Sequence, residues 1–137
     1  MKYRIFTDGG ARGNPGPAAG GVVIEVFRQG KWHLKEELSG YFGKATNNQA
    51  EYQALLLGLR HIRALNPSEL EILLDSELLV NQLNGSYRVK HPELKPLFVQ
   101  AKALMVELGC PVMVRHIPRM QNSKADALVN QTLDEQS

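Results

Sequence analysis

Tyr3-Arg4-Ile5-Phe6-Thr7-Asp8-Gly9-Gly10-Ala11-Arg12-Gly13-Asn14-Pro15-Gly16 lies near the start of the chain, and its reading decides the fold. Residues 3–7 read as a short buried strand. Asp8 ends that apolar run and opens a glycine-rich loop. An acid before Gly-Gly suits a turn, yet such a loop offers little packing reason for a carboxylate. Gly20 to Phe27 reads as a second strand. Gln29-Gly30 then turns into a third, from Trp32 to roughly Phe42, and the short connections make the three an antiparallel meander.

Beyond the meander, Thr46-Asn47-Asn48 precedes a helix from about Gln49 to Leu65, stopped by Asn66-Pro67. Leu70 to Leu74 is a strand, and Glu77 to Leu83 a short helix closed by Asn84-Gly85. Pro92 or Leu94 begins a helix that reaches Leu108-Gly109, with Leu97, Ala101, Leu104 and Leu108 at helical spacing. Pro111 to Ile117 is a last strand, and Asn122-Ser123 starts the last helix. The order β-β-β-α-β-α-α-β-α predicts an α/β fold: a five-stranded mixed sheet, the meander plus two added strands, with helices on both faces.

At 137 residues the chain suits a single domain over 1–137. No apolar run approaches membrane-spanning length, and with Asp8 so near the start no secretory leader is expected. The lone Cys110 excludes an internal disulfide and a multi-cysteine zinc site; packing beside Val112 to Val114 suits it. A cytoplasmic protein is expected. The net charge of +2 permits nucleic-acid binding without arguing for it, and the cations gather only loosely, at Arg88, Lys90 and Lys95.

Four acids stand where apolar runs stop or helices begin: Asp8, Glu51, Asp75 and Asp126. Glu51 starts the stripe Glu51, Leu55, Gly58, Leu59, Ile62, where a buried charge is costly without a partner, although a helix-start glutamate also suits the dipole. Asp75 ends a strand at a place where α/β sheets bind ligands, and Asp75-Ser76 could equally cap the next helix. Ser123-Lys124-Ala125-Asp126 reads by default as a capping box with Asp in place of Glu. If the four converge, two like charges about 4 Å apart repel by roughly 4 kcal/mol at an effective dielectric near 20. Hard divalent cations would relieve that repulsion, and two Mg²⁺ about 4 Å apart could span the attacking and leaving oxygens of a phosphodiester.

Thr7-Asp8-Gly9-Gly10-Ala11-Arg12-Gly13-Asn14-Pro15-Gly16, Thr46-Asn47-Asn48-Gln49-Ala50-Glu51, Leu74-Asp75-Ser76 and Asn122-Ser123-Lys124-Ala125-Asp126, in this order and spacing, resemble type 1 ribonuclease H. Tyr87-Arg88-Val89-Lys90 and His116-Ile117-Pro118-Arg119 are similar to its compact archaeal and Gram-positive-like branch, sometimes labelled reverse-transcriptase-like.

The resemblance implies a ribonuclease H-like fold with Asp8, Glu51, Asp75 and Asp126 as metal ligands for Mg²⁺, with Mn²⁺ as substitute. It implies an endonuclease that cuts the RNA strand of RNA–DNA hybrids, leaving 5′-phosphate and 3′-hydroxyl ends. Asn14, Asn47 and the backbone around Gly10 and Ala11 would touch the hybrid's minor groove. Lys44, Thr46 and Asn14 would lie near a DNA-strand phosphate, and Ser76 would also contact substrate. Arg119 or His116 would assist turnover, Arg119 being preferred because His116 alternates with Val112 and Val114 on one strand face.

Two departures bear on binding: the stretch from Leu83 to Leu97 is too short for the basic protrusion of the family's better-studied bacterial members, which predicts weaker substrate affinity, and Glu77 stands where the familiar pattern has an amide. The expected partner is the hybrid alone, with no membrane and no obligate protein partner, the chain acting as a monomer. Its Met1 and final helix suit a free-standing protein. The competing readings are a catalytically silent hybrid-binding module and a DNA-acting nuclease of the same fold.

Overall fold

The computed structural model describes residues 1–136. Strands β1 (Lys2–Ala11), β2 (Gly16–Arg28) and β3 (Lys31–Ala45) form the antiparallel meander. After helix α1 (Asn47–Ala64), β4 (Glu69–Leu74) lies parallel to β1. Helices α2 (Glu77–Leu83) and α3 (Lys95–Glu107) follow. Then come β5 (Val112–His116), parallel to β4, a 3-10 turn (Arg119–Asn122) and α4 (Ser123–Gln136). The five strands stand in the order β3-β2-β1-β4-β5 and form the expected mixed sheet.

Helices cover both faces. Ile5, Val22 and Ile24 face α1 and join Leu55, Leu59 and Ile62 in the main core. On the other face, the small cluster of Ala19, Val129 and Leu133 lies under α4. Glycines set how closely each helix approaches. A Cβ on Gly9 would run into the Ala50 carbonyl of α1, and one on Gly21 into the Ala125 carbonyl of α4.

The structure corrects three local readings. Strand β1 does not stop at Asp8: it continues to Ala11 because Asp8, Gly9, Gly10 and Ala11 stay paired with Gly21, Gly20, Ala19 and Ala18. Ser123 does not cap α4. Its backbone is already helical (φ −62°, ψ −32°), which makes it a first-turn residue and leaves Asp126 free of a capping box. The third strand is longer than its weak alternation suggests, because it follows β2 through two register shifts.

Candidate active site

Strand β4 ends at Leu74, opposite Thr7, while its neighbour β1 runs on to Ala11. The far edge of β1 is therefore bare, and its N–H groups need acceptors. Helix α1 supplies them. Glu51 Oε1 accepts from the Gly9 N–H at 3.0 Å, and Asn47 Oδ1 accepts from the Ala11 N–H at 2.9 Å. The match is geometric: four helical residues rise about 6 Å, and two strand residues span about 6.6 Å. The helix start is fixed by Thr46, whose Oγ1 accepts from the Gln49 N–H while Gln49 Oε1 accepts from the Thr46 N–H. Thr46 is thus the cap, rather than Asn47 or Asn48. Asn14 Oδ1 accepts from the Asn47 N–H at 3.0 Å and ties the β1–β2 loop to the same place.

Asp75 is not the cap of α2. Ser76 takes that role, its Oγ accepting from the Leu79 N–H at 3.3 Å, so the Asp75 carboxylate is available to the bare edge. Asn122, buried ahead of α4, donates from Nδ2 to the Thr7 carbonyl at 2.9 Å and to Asp75 Oδ2 at 3.3 Å. In the sequence Asn122 stands at a helix start and opens the last motif block; that it braces Asp75 depends on a contact 47 residues away along the chain.

Asp8, Glu51 and Asp75 each place a carboxylate oxygen within 4.8 Å of the others. Asp126 joins from the α4 side and stands outside that triplet; it is close enough to Asp8 to help raise its pKa. Burial pushes the Asp8 carboxyl up to about 7, with the neighbouring charges of Asp75 and Asp126 adding to the effect. Burial and the charge of Asp8 hold Glu51 well above its ordinary range. Glu51 Oε2 is buried with no hydrogen-bond partner. An all-oxygen donor set with an orphaned carboxylate oxygen and mutually repelling neighbours fits a hard divalent cation.

A cavity of about 430 Å³ is lined by all four acids with Gly10, Ala11, Asn47, Ser76 and Arg119. The structure therefore brings these nine residues together. Asn14 and Thr46 line an adjoining pocket of about 220 Å³ that shares Asn48 with the cavity. Lys44 is exposed on β3 opposite Pro17, and His116 is exposed at the end of β5; neither lines these two pockets. Glu77 is exposed and also outside them. Arg12 and Asn130, which sequence reasoning did not single out, line the main cavity.

The model of a family described as reverse transcriptase-like matches residues 6–132. A bifunctional protein of Mycobacterium tuberculosis is 42% identical over 134 residues, 98% of this chain but 36% of that protein. The ribonuclease HI of Halobacterium salinarum is 38% identical over 98% of this chain and 65% of its own length. The chain thus spans about a third of the first relative's length and just under two thirds of the second's. The crystal structure of the Halobacterium salinarum ribonuclease H1 superposes with a TM-score of 0.91 at 36% identity, covering 98% of this chain and 99% of that one. The crystal structure of LC11-RNase H1 in complex with an RNA/DNA hybrid is 42% identical, with a TM-score of 0.89 over 97% of each chain.

Proposed function

Because the chain belongs to the reverse transcriptase-like family, among the type 1 ribonucleases H, we propose that it is an endonuclease hydrolysing the RNA strand of RNA–DNA hybrids. The observation that carries the reading is the triplet Asp8, Glu51 and Asp75, with Glu51 Oε2 buried and unpartnered, in a cavity that also holds Asp126. The residues 1–137 act as one catalytic domain, a monomer without an obligate protein partner, and we place it in the cytoplasm. Among the described residues, no helix is long and apolar enough to cross a membrane.

Asp8, Glu51, Asp75 and Asp126 would hold two Mg²⁺, with Mn²⁺ as substitute. Bound there, the ions would supply activation of a water and neutralisation of the departing 3′ oxygen, which would leave 5′-phosphate and 3′-hydroxyl ends. The protein's own part is positional. Glu51 is locked by the Gly9 N–H and Asp75 by the Asn122 amide, so two ligands are held before substrate arrives. The minor groove lies along Gly10, Ala11 and Asn47, where shape and 2′-hydroxyls are read rather than base sequence. Asn14, Thr46 and Lys44 receive a phosphate of the DNA strand, and Ser76 contacts the substrate at the cavity wall. Arg119, exposed at the cavity lining, meets the phosphate near the cut; His116 is the second candidate for that assistance.

A labelled hybrid incubated with Mg²⁺ or Mn²⁺ tests this. The expected outcome is metal-dependent cutting of the RNA strand alone, reduced roughly a thousandfold, about 4 kcal/mol, by Asp8→Asn. Cutting of an all-DNA duplex, or hybrid binding without cutting under either metal, would overturn it.

A further inference from the structure

The end of β1 is gripped from both faces of the sheet. From one side, α1 holds the Gly9 and Ala11 N–H groups through Glu51 and Asn47. From the other, the residue just past the strand, Arg12, reaches α4: its Nη2 donates to Asp134 Oδ1 at 2.6 Å and to the Asn130 carbonyl at 3.5 Å. Asn130 in turn donates from Nδ2 to Asp126 Oδ2 at 3.3 Å. Asp126, Asn130 and Asp134 recur every fourth residue, so they form one stripe of α4.

Besides this polar stripe, α4 buries the apolar residues Ala125, Val129 and Leu133 against the sheet. The buried cluster beneath it is Ala19, Val129 and Leu133, and close approach at Gly21 sets its height over the sheet. Height does not set the position of a helix along its own axis. A charged tether from a strand already anchored by α1 does.

We propose that Arg12 and Asp134 are positioning residues for the fourth carboxylate. Through them the strap Gly9 to Arg12 fixes the distance between the α1 acid Glu51 and the α4 acid Asp126, and so sets the affinity of the complete metal site. This inference rests on the proposed function for its role in turnover. Its metal-binding content stands apart from that reading. Both members of the pair are substantially exposed, with side-chain accessibilities of 44% and 69%, so the effect is graded and not all-or-none.

The test is a Mn²⁺ titration of the substrate-free protein, followed by the paramagnetic signal of free Mn²⁺, on wild type, Arg12→Ala, Asp134→Asn and the charge swap Arg12→Asp with Asp134→Arg. Each single variant should weaken Mn²⁺ binding roughly three- to fivefold, and the swap should restore most of it. In hybrid cleavage the metal midpoint should move by the same factor. KM for the hybrid at saturating metal should stay put. Circular dichroism melts of the same variants check that each is folded.

Unchanged Mn²⁺ binding in both single variants overturns the proposal. So does a raised KM in Arg12→Ala alone, which would make Arg12 a direct phosphate contact. A wild type that binds Mn²⁺ in the expected variant order yet cuts no hybrid leaves the tether standing and removes the activity reading. Cleavage by wild type with no variant effect on Mn²⁺ binding does the reverse.

Discussion

Under α1 the sheet buries Ile5, Val22, Ile24, Leu55, Leu59 and Ile72 in one continuous cluster that extends to α2 and α3, whereas under α4 the buried apolar cluster is Ala19, Val129 and Leu133. Each face sends one acid to the shared cavity. Glu51 arrives on a helix locked by a large core and hydrogen-bonds the strand directly. Asp126 arrives on a helix steadied by polar contacts, and it stands outside the tight triplet. The difference teaches that two carboxylates facing one cavity can be placed by different means, one by a deep core and a backbone hydrogen bond, the other by a polar stripe on its helix.

The largest expected effect concerns activity. Glu51→Gln should lower hybrid cleavage roughly a thousandfold, about 4 kcal/mol, while Asp126→Asn should lower it only about 10- to 100-fold. Single-turnover rates at saturating Mg²⁺ would measure both, and equal losses would erase the distinction between the two acids.

Next comes stability. Leu59 is fully buried in the α1 core, so Leu59→Ala should cost roughly 2–5 kcal/mol. Val129→Ala on the other face should cost about 1.5 kcal/mol, near the transfer value of two methylenes. Urea unfolding of the two variants gives the ordering; a Val129→Ala loss as large as that of Leu59→Ala would mean that the α4 face is better packed than its small cluster implies.

The smallest effect sharpens the electrostatic side. Asp8 releases its proton near 3.8 when unfolded and at about 7 when folded. Between those values the folded state binds more protons, so stability falls as pH rises through that window. In chelator the thermal midpoint should drop between pH 4 and pH 7. Asp8→Asn or excess Mg²⁺ should flatten the curve, and a midpoint that rises over this window would contradict the burial of Asp8 beside its acidic neighbours.

Much of the fold was legible in the sequence because its signals are local. The alternation of Tyr3, Ile5 and Thr7, the apolar spacing of Leu55, Leu59 and Ile62, and the stop at Asn66-Pro67 mark elements with contacts a few residues apart. The candidate acids were legible for a similar reason, since a carboxylate at the head of an apolar stripe stands out. Caps were less so. Thr46 and Ser76 each took a role that Asn47, Asn48 or Asp75 could have filled, and only backbone angles separate such neighbours.

By itself, the sequence determined the order of strands and helices, the acids to watch and, through its motif resemblance, the family. Tertiary structure alone decided that the acids meet. Their meeting depends on β4 ending at Leu74 while β1 continues to Ala11, which leaves an edge where side chains from both faces converge. It also decided that Asn122 braces Asp75 and that Arg12 reaches Asp134, pairs separated by 47 and 122 residues. Strand register and helix position are collective results of packing distant segments, and no window along the chain contains them.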